Sequence, residues 1–293
     1  ASVSILPLTG DNFSPLGLPL ILSLIDADTD APAWAKVDVW DSEASRPSWD
    51  SRASRPSAVE IEEVAGAAST SKEADTASLP PVLIDHFATV ARKVIAACTK
   101  ALIHAEPELT KYDTIVGDGD CGITMERGAK EVSHRLEYGR LRLDHPSHLF
   151  ADLADAVSAS MGGTSGILLE LMFRKASTSL QSVDGEGITS KDMASAFRAG
   201  VEAVSFYGGA QEGSRTMLDA LFPASTAMSS GSESANVQDA ANAARKGADD
   251  TAAMDHAEAG RSNYLSKEVL MGTPDPGAVA VAVVLEAMAP IVS

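Results

Sequence analysis

From Leu83 onward apolar residues recur at helical spacing. Leu83, Phe87, Val90, Val94, Ala97 and Leu102 stand three to five positions apart and predict one helix face. Met125, Ala129, Val132 and Leu136 mark a second helix. Leu149, Leu153, Val157 and Met161 mark a third, which stops at Gly162–Gly163. "TSGILLELMFRKASTSL" opens a fourth, and Met193, Phe197, Val201 and Val204 make a fifth with Thr189 or Ser190 as N-cap. A short helix follows Thr216, and an alanine-rich helix covers about 235–252. The last helix starts at "DPG", with Asp275 as N-cap and Pro276 in the first helical position. No strand pattern occurs after residue 35. The body is therefore read as all-α, a bundle of about eight helices with short to medium loops.

The first eighty residues read differently. "SVSIL" alternates like a strand, and "LILSLIDADTDAPAW" reads as a short apolar helix running into a turn. A lone strand and helix cannot bury both faces, so this piece is expected to pack on something else. Residues 41–81 are rich in Ser, Ala, Glu, Asp and Pro, repeat "ASRPS" at 44–48 and 53–57, and end in "SLPP". That composition predicts a flexible linker.

Composition narrows the partners. Aromatics are 5% of a chain that is 45% hydrophobic and rich in alanine, which suits helices packed closely through small residues. The formal net charge is -18, and no Lys/Arg cluster supplies a basic face, so neither nucleic acid nor an anionic membrane is an expected partner. The longest apolar run, "PLGLPLILSLI" at 15–25, is too short to span a bilayer and contains two prolines. Cys98 and Cys121 form neither a disulfide framework nor a zinc spacing, consistent with a reducing compartment. The expectation is a cytoplasmic protein.

The candidate chemistry is concentrated in the loops. "YDTIVGDGDCG", 112–122, holds Asp113, Asp118 and Asp120 with three glycines. Like charges repel, and glycine adds ordering entropy, so a bound cation is the natural compensation. Aspartate oxygens are hard ligands for Mg²⁺ or Ca²⁺, but the EF-hand pattern fails, since Gly122 and Ala129 would stand at its fifth and twelfth positions. The competing structural reading is a solvated turn with N-capping aspartates. "GGTSG", 162–166, offers Thr164, Ser165 and a helix N-terminus, which attracts anions. "YGGAQEGSRTMLDAL", 207–221, carries Arg215, "AGRSNYL", 259–265, adds Arg261, and "TPDPG", 273–277, is the fourth glycine loop. Each is weak alone. If they converge at one end of the bundle, they make a phosphate-and-metal site. His256 has no obvious sequence partner and is read as surface or core, and Cys121, with no nearby base by sequence, is read as fitting the loop rather than as a nucleophile.

Five motifs in this order, "YDTIVGDGDCG", "MGGTSG", "GSRTMLDALFPAS", "GRSNYL" and "PDPGA", resemble the ATP-binding domain of the dihydroxyacetone (glycerone) kinase family. The resemblance runs over about residues 82–293. Cysteine after the second "GD" is similar to the eukaryotic single-chain enzymes, and residues 1–40 resemble the tail of the substrate-binding domain that precedes the linker there.

The resemblance implies a closed ring of eight antiparallel helices with ATP at one end. It implies that Asp113, Asp118 and Asp120 hold two Mg²⁺ ions bridging the phosphates, and that these three with Arg261 are the catalytic set. Nucleotide contacts would come from Asp120, Cys121, Gly122, Ile123, Thr164, Ser165, Gly208, Thr216, Met217, Arg261, Asp275, Pro276 and Gly277. Two departures stand out. Ser214 occupies a position where the family usually has aspartate, which bears on how Arg215 is held, and Ile123 stands where Thr or Ala is common. The implied activity is phosphorylation of dihydroxyacetone by Mg-ATP with a substrate-binding domain, in cis or in trans, as partner. Two alternatives accompany it: FAD-AMP lyase (FMN-cyclising) activity, or a non-catalytic nucleotide-sensing module that docks on a partner.

Overall fold

The computed structural model describes residues 87–183, 187–229 and 237–292. The strand and helix expected near the N-terminus and the expected linker at 41–81 lie outside the described residues. Among the described residues the chain forms α1 (Phe87–Val116), α2 (Cys121–Glu137), α3 (Pro146–Ser160), α4 (Gly163–Gln181), α5 (Ser190–Gly208), α6 (Leu218–Ser229), α7 (Val237–Asp250), α8 (Lys267–Leu270) and α9 (Pro276–Val292). A 3₁₀ turn, Thr251–Ala253, follows α7, and there is no β-strand element among these residues.

Each helix from α1 to α7 packs on the next, and α9 then packs on both α7 and α1, which closes a ring of eight. The closing pair is antiparallel. Asp275, at the start of α9, lies in the field of Asp113 near the end of α1. Cys98, nearer the start of α1, donates its thiol to the Val284 carbonyl at 3.4 Å.

Small residues make the close packing possible. Ala220, Ala224, Ala240, Ala241, Ala244, Ala248, Ala278 and Ala282 are all fully buried where α6, α7 and α9 meet. Larger side chains anchor the core, Leu109 in this cluster and Leu218 and Leu180 in two others, each stabilising the fold by roughly 1.5–3 kcal/mol through burial.

Local capping fixes the helix starts. Thr189 caps α5 in a reciprocal box with Asp192, whose backbone N–H donates to the threonine oxygen while its carboxylate accepts from the Thr189 N–H at 2.8 Å. Asp275 caps α9, its Oδ1 accepting from the Ala278 N–H at 2.8 Å, with Pro276 opening the helix as expected.

Two boundaries differ from the sequence reading. The stretch 112–122 is a loop only over 117–120: α1 continues through Val116, so Asp113 is a helical residue, and α2 already includes Cys121 and Gly122. "YDTIV" contains no helix breaker, and the glycines begin only at 117. The glycine-rich stretch at 207–221 likewise begins later, because α5 runs through Gly208 and ends on Gly209 in the left-handed conformation.

Candidate functional site

The end of α1, the start of α2 and the four-residue turn between them build the centre of the site. Asp113, almost fully buried, turns Oδ2 to the backbone N–H groups of Asp120 and Cys121 at 2.7 and 2.8 Å. Asp113 thus caps α2 from the neighbouring helix, while Asp120, in the N-cap position, makes no side-chain capping bond. The solvated-turn alternative accounts for neither the burial of Asp113 nor the uncommitted carboxylate of Asp120. Oxygen atoms of Asp113, Asp118 and Asp120 lie within 4.8 Å of one another, with Asp118 and Asp120 exposed. Burial, then the charges of Asp118 and Asp113, push the Asp120 carboxyl above its ordinary range, although Arg261 and Arg127 pull the other way. Arg261 and Arg127 therefore do not fully offset burial and the neighbouring carboxylates at Asp120. Three hard oxygen donors in this arrangement fit a divalent ion such as Mg²⁺.

One glycine shapes the turn and another lets the two helices meet. Gly119 has φ of +80°, a region that disfavours any side chain. A Cβ on Gly122 would collide with the Glu106 carbonyl and the Thr110 hydroxyl of α1, so glycine there lets α2 approach α1 closely enough for Asp113 to reach its amides.

The other predicted residues gather from several loops. Arg261 Nε pairs with Asp118 Oδ2 at 3.1 Å, with both side chains solvent-exposed. The Tyr264 side chain, then Asp118, hold that guanidinium above its ordinary pKa. Asp275, partly accessible at its surface but enclosed around the carboxylate, is pushed up to about 6 by burial, against the pull of its Ala278 hydrogen bond and of Arg215. Gly277 lies beside Met217: a Cβ there would stand 3.5 Å from the Met217 Cβ, so α9 and the 213–217 loop meet. Thr216 has its Oγ1 engaged as acceptor for the Leu218 N–H at 3.2 Å. Cys121 is kept protonated by burial and by the surrounding carboxylates, Asp275 foremost among them, which removes it as a nucleophile. Ile123 projects half-exposed from the first turn of α2.

Thr164 and Ser165 lie in the first turn of α4, exposed and half-buried respectively. The junction before them comes near the carboxylates through Arg127, whose Nη2 is 3.8 Å from where a Gly162 Cβ would stand and whose charge acts on Asp120. Gly208 ends α5 against Leu168 of α4. The described contacts do not join Gly208 directly to the carboxylates. His256 is exposed.

Sequence reasoning missed three participants. Arg127 belongs to no motif. Asp219, buried, accepts the Gly213 and Thr216 N–H groups, both at 2.7 Å, and so shapes the 213–217 loop. Ser262 is a buried hydroxyl next to Arg261. Asp219 stands between Leu218 and Ala220, a polar residue flanked by apolar ones, which was the available signal; Ser262, between Arg261 and Asn263, had none. Nor is Arg215 held by residue 214. Ser214 instead donates to Glu258 Oε2 at 3.1 Å, while the Arg215 guanidinium points elsewhere.

The closed helical ring gathers three clustered carboxylates that could hold a divalent cation and, beside them, an arginine that could meet an anion. The chain belongs to the DAK2 domain family, which matches residues 115–290. It is 37% identical over 196 residues to a dihydroxyacetone kinase of Citrobacter freundii, covering 67% of this chain and 34% of that protein. It is 34% identical over 274 residues to the triokinase/FMN cyclase of Bos taurus, covering 92% of this chain and 43% of that protein. The crystal structure of the C. freundii dihydroxyacetone kinase in complex with AMP-PNP and Mg²⁺ matches with a TM-score of 0.56 at 32% identity, covering 76% of this chain and 37% of that one. The chain spans well under half the length of the curated relatives it matches. Among the described residues no helix is long and apolar enough to cross a membrane.

Proposed function

We propose that this chain supplies the Mg-ATP site of a cytoplasmic dihydroxyacetone kinase, with residues 82–293 as the ATP-binding domain, 41–81 as linker and 1–40 as the tail of a substrate-binding domain. The observation that carries the reading is the Asp113–Asp118–Asp120 cluster, three carboxylates whose oxygen atoms lie within 4.8 Å of one another. These three carboxylates would hold two Mg²⁺ ions. Magnesium bound there would neutralise phosphate charge, the main requirement of phosphoryl transfer.

The remaining residues act on the nucleotide. The backbone N–H groups at Cys121–Gly122–Ile123 and the α4 N-terminus with Thr164 and Ser165 would face phosphate oxygens. Arg261, already at the carboxylates, would meet charge developing on the transferred group. Thr216, Met217, Gly208 and the Asp275–Pro276–Gly277 turn would border the rest of the nucleotide. The C. freundii enzyme's complex with AMP-PNP and Mg²⁺ supports this ligand pair. The accepting hydroxyl and its base would come from a substrate-binding domain, in cis or in trans.

The test is a kinase assay on the purified chain. It should bind Mg-ATP yet leave dihydroxyacetone unphosphorylated until a substrate-binding domain is added. Robust turnover by the chain alone would overturn the division of labour. A second reading, FMN cyclisation, is favoured by the bovine relative's name and its coverage of 92% of this chain. Assay with FAD and Mn²⁺, followed by product analysis, separates the two.

A further inference from the structure

Arg215 is among the most deeply buried large side chains of the protein, 1% exposed, and it is the one non-glycine residue with positive φ among the described residues, at 60°. Both features are costly. Burial lowers its pKa, and the nearby charges of Asp275 and Asp219 counter that. Its hydrogen bonds go to three points on other segments. Nη1 donates to Ser262 Oγ at 3.3 Å, and Nη2 donates to the carbonyls of Thr273 at 2.6 Å and Leu270 at 3.3 Å. Nε has no partner. Ser262 passes the connection on, its hydroxyl donating to the Val116 carbonyl at 2.7 Å. Val116 is the last residue of α1, and its carbonyl is one that the helix itself cannot satisfy.

We propose that Arg215 is a positioning residue that, through Ser262, fixes Arg261 relative to Asp118. Ser262 follows Arg261 directly, and Val116 stands two residues before Asp118, so the Ser262 hydroxyl ties the chain on both sides of the Arg261–Asp118 pair, and the buried guanidinium holds that hydroxyl. The same guanidinium holds Thr273, which leads into the Asp275–Pro276–Gly277 turn. A cation of fixed, forked geometry explains why this buried position carries arginine. The role assigned to Arg261 toward phosphate rests on the function proposed above, whereas the tie itself does not.

The experiment pairs two readouts on the full chain, using Ser262→Ala and Arg215→Lys, with Arg261→Ala and the double variant Ser262→Ala/Arg261→Ala for comparison. Ser262→Ala removes only a hydroxyl, so it keeps the test usable if Arg215→Lys fails to fold. Amide hydrogen exchange, measured without metal or nucleotide, should speed up about tenfold in residues 259–266 while α4 and α5 keep their protection. Unchanged exchange in that loop, or equal loosening everywhere, overturns the proposal. Mg-ATP titration should show Ser262→Ala weakening affinity about tenfold, with no further loss when it is added to Arg261→Ala, because the two act through one group. Full additivity overturns the proposal even if the loop loosens. If the wild-type chain binds no Mg-ATP, the functional reading fails, and the exchange result alone judges the tie.

Discussion

Asp275 caps α9 and also faces other carboxylates. Burial raises its pKa from 3.8 to about 6, with Asp219 and Asp113 adding to the rise. An acid whose folded-state pKa lies above its unfolded value stabilises the fold while protonated. That contribution is fully present below about pH 4 and is lost as pH rises through about 6. Asp275→Asn keeps an oxygen acceptor for the Ala278 N–H but removes the charge. In EDTA and without nucleotide, the variant should melt higher than the wild type at pH 7.5, and the difference should shrink as pH falls from 6 to 4. Parallel melting curves across that range would show that the carboxyl is not perturbed. The site is otherwise divided between exposed and buried charges. Asp118, Asp120 and Arg261 face solvent, while Asp113, Asp219 and Arg215 are buried and also shape the backbone around them.

Most helices were readable as elements, because their apolar residues repeat at helical spacing and their caps are explicit in the sequence, as at Thr189 and Asp275. The errors lie where local composition misleads. Glycines at 117, 119 and 122 suggested a long loop, yet Gly122 is helical and required for close approach of two helices rather than for a turn. α8 has only four residues, too short to show a period. Gly122→Ala tests the packing account. Its Cβ would stand 2.7 Å from the Thr110 backbone nitrogen and would collide with the Glu106 carbonyl, so the helices must separate. Overpacking of this kind costs about 1–3 kcal/mol, to be read from urea unfolding. A change within about 0.5 kcal/mol would mean that α1 and α2 accommodate the methyl freely.

At the scale of the whole molecule, the closed ring that the family resemblance implied is present, and it does what helical periodicity alone could not show. The motifs lie as far apart as Asp113 and Asp275, and only the packing of α9 on α1 brings those two into one field. The carboxylate cluster itself was legible, since three aspartates within eight residues are brought together by the glycine turn between them. The Arg215–Ser262–Val116 connection beside it depends on tertiary contacts with no local signature. Acting together, these segments should form a nucleotide site that works only with a divalent cation. The direct measurement is calorimetric titration of ATP into the chain, first with Mg²⁺ and then with EDTA, repeated on Asp118→Ala. Saturable binding that requires Mg²⁺ and disappears in Asp118→Ala is the predicted result. No binding under any condition, or equally tight binding in EDTA, would contradict the metal-bridged site.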